Sequence, residues 1–95
     1  MSLFWLSFCD PRKPPGEQFL GACVVDGGDS VDDGENFKVA VQRAWRFKCN
    51  PGGEIQSFRI LPEMEVHVGS QWRYRLLTRA ECAALNREVA PHSAS

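Results

Sequence analysis

Apolar residues along the chain fall into short runs separated by polar breaks rich in proline or glycine, and their period changes partway. Leu3–Cys9 (LFWLSFC) is apolar and aromatic and stops at Asp10-Pro11, which predicts a strand closed by a breaker. In a strand Leu3, Trp5 and Cys9 point one way, and Phe4, Leu6 and Phe8 the other. Apolar residues on both sides predict a central strand, either covered on both faces or with one face turned to a partner. Asp10–Glu17 (DPRKPPGE) is a loop with three prolines. Phe19–Val25 predicts a second strand, antiparallel to the first across a wide turn. Gly21 sits inside it, at a place where a large side chain packs over the backbone. Asp26–Gly34 is acidic and Gly-rich, and is expected to be a mobile loop.

From about Glu35 the period becomes helical. On a wheel, Phe37, Ala40, Val41, Ala44, Trp45 and Phe47 fall within an arc of roughly 160° and form the expected buried face. Gln42, Arg43 and Arg46 lie opposite, and Val39 is an apolar exception among them. Acidic residues before the helix and Arg46 and Lys48 at its end suit the helix dipole. Asn50 precedes Pro51, so the helix stops by Cys49, and Gly52 or Gly53 turns the chain. Glu54–Leu61 predicts a third strand with Ile55, Phe58 and Ile60 as apolar members, ended by Pro62. EMEVHV, residues 63–68, alternates and suggests a fourth, edge strand. GSQWRYRLL reads as a loop with one helical turn. Thr78-Arg-Ala-Glu81 is a capping box that opens a short helix with Cys82, Leu85 and Val89 as its apolar stripe. The tail, residues 91–95, is expected to be disordered.

A right-handed crossover from the second strand through the helix sets the third strand parallel to the second, beside the first. The predicted fold class is therefore α+β: a small, mainly antiparallel sheet of three or four strands in the order 2-1-3. One long helix packs on it, and a short C-terminal helix follows. Ninety-five residues make one domain, placed at residues 1–90.

Composition narrows the function more than it identifies it. Hydrophobic residues are 43% and charged residues 24%, the balance of a soluble globular chain. The net charge of −1 gives no overall pull towards nucleic acid or an anionic membrane. No apolar run approaches the ~20 residues of a membrane span, and the N-terminal segment lacks the basic start of a signal peptide. Four cysteines, at 9, 23, 49 and 82, show no zinc-ligand spacing. The expectation is a cytoplasmic protein with reduced thiols, no metal and no cofactor.

Each candidate for chemistry has a plain structural role as its rival. In AWRFKCNPGGE, residues 44–54, the glycines follow a helix. A phosphate-binding loop needs them before one, so the turn is read as structural. Cys49 as a nucleophile would need His67 or His92 as its base, with no local signature to support either. The acidic loop fits a calcium-loop pattern poorly, with Val31 and Ala40 where acids belong. The strongest surface signal is basic and aromatic: Arg43 and Arg46 on the outer helix face, with Trp72, Arg73, Tyr74 and Arg75 in QWRYRLL. Such residues suit a protein interface or stacked bases with neutralised phosphates.

The segments FWLSFCDPRKPPGEQFLGACVVDG, AWRFKCNPGGEIQSF and WRYRLLTRAECAAL together resemble a group of small uncharacterised proteins of bacterial and phage genomes. Those proteins share an aromatic LSF strand, QFLGAC, AW…NPGGE and a closing R-N-R-L-L-T/S-R. This chain departs from that pattern in having Tyr74 where asparagine is expected and an apparent insertion at the acidic loop. The resemblance implies a compact cytosolic accessory protein, as of a mobile element, and brings no catalytic residue. The expected function is a non-enzymatic interaction protein that binds a protein partner or self-associates. The alternative is a nucleic-acid-binding accessory protein using the arginine and aromatic surface.

Overall fold

The structure, a computed structural model, describes residues 2–93, with side chains through Glu88. Three strands, β1 (Leu3–Cys9), β2 (Phe19–Asp26) and β3 (Glu54–Arg59), form one sheet in the order β2-β1-β3. β1 runs antiparallel to both neighbours. Helix α1 (Asp33–Arg46) links β2 to β3. A single helical turn α2 (Pro62–Glu65), a 3-10 turn at Ser70–Trp72 and helix α3 (Arg79–Ser93) complete the chain. The α+β class and the strand order are those the sequence predicts.

β1 is central because both of its faces are apolar. Leu3 and Trp5 join Ala22, Val24, Ile60, Val68, Leu77, Cys82 and Leu85 in one core. Phe4, Leu6 and Phe8 join Cys23, Val25, Ala40, Ala44 and Cys49 in the other, beneath α1. Leu3, Leu6 and Phe8 are wholly buried. At about 25 cal/mol per Å² of apolar area removed from water, a segment this thoroughly enclosed is where burial contributes most. The register of β1 and β2 shifts between Phe8 and Cys9. Nearby, Gly21 has φ +130°, and a Cβ there would stand 2.7 Å from Leu76 Cδ1. This is the close packing over the strand that the glycine implied.

Several expectations need correcting. The buried seam of α1 is Asn36, Ala40 and Ala44. At 100° per residue Trp45 lies about 140° from Ala40, too far round to reach the sheet, and it is exposed. Phe47 lies beyond the helix as its C-cap, so the wheel does not govern it; it too is exposed, tilted against Tyr74 with ring centroids 4.7 Å apart. Arg43 falls only about 60° from Ala40 on the same wheel. Instead of projecting outwards, its guanidinium donates to the Asp26 carbonyl at 2.9 Å and pairs with the Asp26 carboxylate at 3.2 Å.

The expected fourth strand is absent among the described residues. Pro62 supplies the first helical position, where its missing N–H costs nothing, and residues 62–65 turn as α2. The acidic loop is tied rather than loose. Buried Asn36 donates to the Ser30 carbonyl and accepts from the Ser30 N–H, and Asp26 Oδ1 accepts from Gly28 and Ser2. The capping box forms as predicted, with Thr78 and Glu81 exchanging bonds of 3.1 and 3.2 Å. α3 runs on through Pro91 to Ser93 instead of ending near Ala90, so a helix occupies the first part of the expected disordered tail. Residues 94–95, and the side chain of Val89, lie outside what is described.

Candidate interaction surface

The two outer edges of the sheet are finished differently. β2 is closed by the segment that follows the 3-10 turn. Ala22 N–H donates to Leu77 O at 3.2 Å, Leu77 N–H to Ala22 O at 2.6 Å, and Tyr74 N–H to Val24 O at 3.0 Å. The side chain of Leu77 is fully buried behind these bonds.

β3 has no such cover. Among the described residues nothing pairs with its outer edge. Five of its six residues are exposed and Ile55 is half-buried. The direction of its backbone groups follows from the ladder. Ile60 N–H donates to Leu3 O at 2.9 Å in the β1–β3 register, so alternate residues Glu54, Gln56 and Phe58 bond inwards to β1. Ile55, Ser57 and Arg59 therefore present their N–H and C=O groups outwards.

An aromatic rim borders this edge. Phe58 stacks on Trp5 with centroids 5.9 Å apart and planes 15° apart. Phe58 is 55% exposed, while Trp5 is only 8% exposed and donates its indole N–H to Ser7 Oγ at 2.7 Å. Beside the pair is a shallow apolar cleft walled by Ile60, Met64, Val68 and Leu85. Leu61 and Val66, on either side of α2, are also exposed. The Asn-Pro-Gly-Gly break and the apolar members Ile55 and Phe58 announce the strand, and its scarcity of apolar residues is the sign in the sequence that the strand is open. Nothing local marks Phe58 as more than an apolar member of the sheet.

The turn that delivers β3 explains AWRFKCNPGGE. Cys49 N–H bonds back to Ala44 O and Lys48 N–H to Trp45 O, closing α1 with a Schellman motif whose left-handed position is Lys48, at φ +59°. Asn50 Oδ1 accepts from Gly52 N–H at 2.8 Å. Gly53 has φ +82°, and a Cβ there would collide with the Cys9 carbonyl oxygen. The stretch is a helix stop and a chain reversal built against β1.

Most of the six basic and aromatic residues that stand out in the sequence are engaged within the chain. Arg43 is engaged with Asp26 at the end of β2. Arg73 donates through Nε and Nη2 to Val68 O at 3.2 and 3.0 Å, which ties the segment after α2 to the cap of β2. Arg75 pairs with Glu81 at 2.6 Å, donates to Gln71 O and lies over the Trp72 ring at 5.9 Å. Trp72 donates to Glu88 at 2.8 Å. Tyr74 holds φ +61°, a conformation asparagine tolerates better than a bulky residue. Arg46 remains on the exposed face of α1. The Arg75 guanidinium, followed by the Thr78 N–H, holds the Glu81 carboxyl below the usual glutamate range.

Cys49 lies in the core under α1, whereas Val68, the neighbour of His67, belongs to the core on the opposite face. The partner of Cys49 is Cys23, and both are buried. Their shared hydrogen bond, with burial, pushes the Cys23 thiol up, while the same bond holds Cys49 below the ordinary thiol value. Among the described residues, no three His, Cys, Asp or Glu side chains gather as a metal site, and no helix is long and apolar enough to cross a membrane. Comparison with models of protein families, with curated proteins and with solved structures finds no match to this chain.

Proposed function

We propose that this chain is a non-enzymatic interaction protein that engages a protein chain, either a partner or a second copy, along β3. One observation carries the reading: β3 is an open, exposed edge with a stacked aromatic pair at its rim, in a sheet whose other edge is closed. An unpaired strand edge binds extended backbone through main-chain hydrogen bonds, and neighbouring side-chain pockets supply selectivity. The exposed face of Phe58 and the cleft beside it provide apolar contact of the kind found in interface centres. The nucleic-acid alternative rests on four arginines, of which Arg43, Arg73 and Arg75 already bond within the chain.

The test compares the wild type with Phe58→Lys in affinity capture and sedimentation. Whatever the wild type captures, or whatever oligomer it forms, is expected to be lost from Phe58→Lys at unchanged circular dichroism. A wild-type chain that stays monomeric and captures nothing ends the proposal. A complex kept by Phe58→Lys and lost in Arg46→Ala moves the surface to α1. Binding that weakens steeply with salt would favour the nucleic-acid reading.

A further inference from the structure

Resting on that reading, we infer that the occupant of the β3 edge is a second copy of β3, paired antiparallel across a twofold axis at Ser57. The outward residues Ile55, Ser57 and Arg59 are evenly spaced about Ser57. A twofold axis there sets Ser57 opposite Ser57 of the other copy and Ile55 opposite Arg59. All three are hydrogen-bonded pairs, in each of which the two residues exchange both of their bonds. Six main-chain bonds form, and no outward N–H or C=O of β3 remains unpaired. Moving the axis by one residue leaves part of the edge without a mate, because only alternate residues face out. An edge that is matched by its own copy is what a symmetric, isologous contact requires.

Side chains agree with this register. On the face that carries Trp5, Phe58 lies opposite Gln56 of the other copy and diagonal to its Phe58, at about 7–8 Å between backbones and within aromatic reach. The Trp5–Phe58 stack then continues across the seam into its mate. On the α1 face, two serine hydroxyls meet at the axis and can hydrogen-bond to each other. Like charges stay apart: Glu54 faces Ile60, and the two Glu54 carboxylates are separated by about six residues of strand, roughly 20 Å. A net charge of −1 per chain adds little repulsion between copies. An edge of six residues buries less than a standard interface, so the dimer dissociates on dilution.

Sedimentation velocity over a concentration series tests this directly. The wild type is expected to pass from monomer to dimer, and Ser57→Pro to remain monomeric. Proline at this position removes only an outward N–H, so the β1–β3 ladder survives. Should Ser57→Pro fail to fold by circular dichroism, Ser57→Lys serves instead, placing two ammonium groups face to face at the axis. Under mild oxidation Ser57→Cys is expected to form an intermolecular disulfide at least tenfold faster than Gln56→Cys, with the wild type as the control for native thiols. Facing residues in such a pair lie about 5.5 Å apart at Cα, inside disulfide reach. Equal rates for the two cysteine variants overturn the register. A wild type that is monomeric throughout overturns the second copy as occupant and leaves β3 open to a different partner chain. A dimer unaffected by Ser57→Pro and Ser57→Lys overturns β3 as the contact, and with it the proposed function.

Discussion

β2 and β3 border the same central strand, yet one edge is sealed and the other is bare. β2 receives Leu77 and Tyr74 from a segment some fifty residues later, with a buried leucine behind the bonds. Among the described residues β3 receives nothing on its outer side, and its side chains are mostly exposed. Edge strands are commonly protected by shortness, charge or proline. β3 is short and carries Glu54 and Arg59, but it also carries Phe58 at its rim. The fold uses its C-terminal third to close one side of the sheet and to cover one face. The remaining edge is the place where a backbone can still be added.

The comparison breaks most sharply with one substitution made on each side. Ala22→Pro removes the N–H that meets Leu77, in a fully buried position, and is expected to cost about 3 kcal/mol or more. Ser57→Pro removes an outward N–H and is expected to cost no more than about 1 kcal/mol in the monomer. Urea unfolding of both variants measures the gap. Comparable losses would show that the β3 edge is as engaged as the β2 edge.

A smaller effect belongs to Asp26, where β2 ends. Burial raises its carboxyl, but the N–H groups of Gly28 and Ser2 and the Arg43 guanidinium outweigh this and hold it below the ordinary value of 3.8. With the folded value depressed, the stabilisation is complete above the unfolded value and is lost as pH falls through the folded one. Asp26→Asn is therefore expected to lower stability by about 1–2 kcal/mol near neutrality and to narrow its gap to the wild type below pH 4. Thermal melts from pH 7 to pH 2 decide this, and a gap that is constant across the series would refute it.

The smallest effect sharpens the β3 side. Lys48 holds the left-handed position that glycine usually fills in a Schellman motif. Lys48→Gly is expected to raise stability by about 0.5–1 kcal/mol, because it relieves the left-handed conformation and leaves the packing of both cores as it is. Chemical denaturation of the variant beside the wild type measures it, and a destabilised variant would mean that Lys48 does more than end α1.

Much of this architecture could be read from local pattern. LFWLSFC carries two apolar faces, and a strand with two apolar faces must be central. The capping box, the Asn-Pro-Gly-Gly reversal and the crowded Gly21 each reflect a short-range steric or hydrogen-bonding need, so a few residues suffice to reveal them. EMEVHV misleads because period-two alternation is weak evidence beside a proline set to begin a turn. Trp45 misleads because its place depends on where the seam of α1 falls, and that seam is chosen by two small alanines and a buried asparagine. The candidate surface is the least legible feature. An edge is open only if no later segment reaches it, and the bonds from Leu77 to Ala22 lie far outside any local window. The arginines stand out in sequence because they are charged, whereas their engagements with Asp26, Val68 and Glu81 are tertiary facts.

The central place of β1 also has a consequence in time. The most apolar strand precedes both of its neighbours in the chain, and the second of them is completed only about fifty residues later. At translation speeds of roughly 5–20 residues per second, β1 waits about 3–10 s for its second neighbour. Throughout that interval LFWLSFC is an uncharged, aromatic segment of the kind that adheres to its own copies.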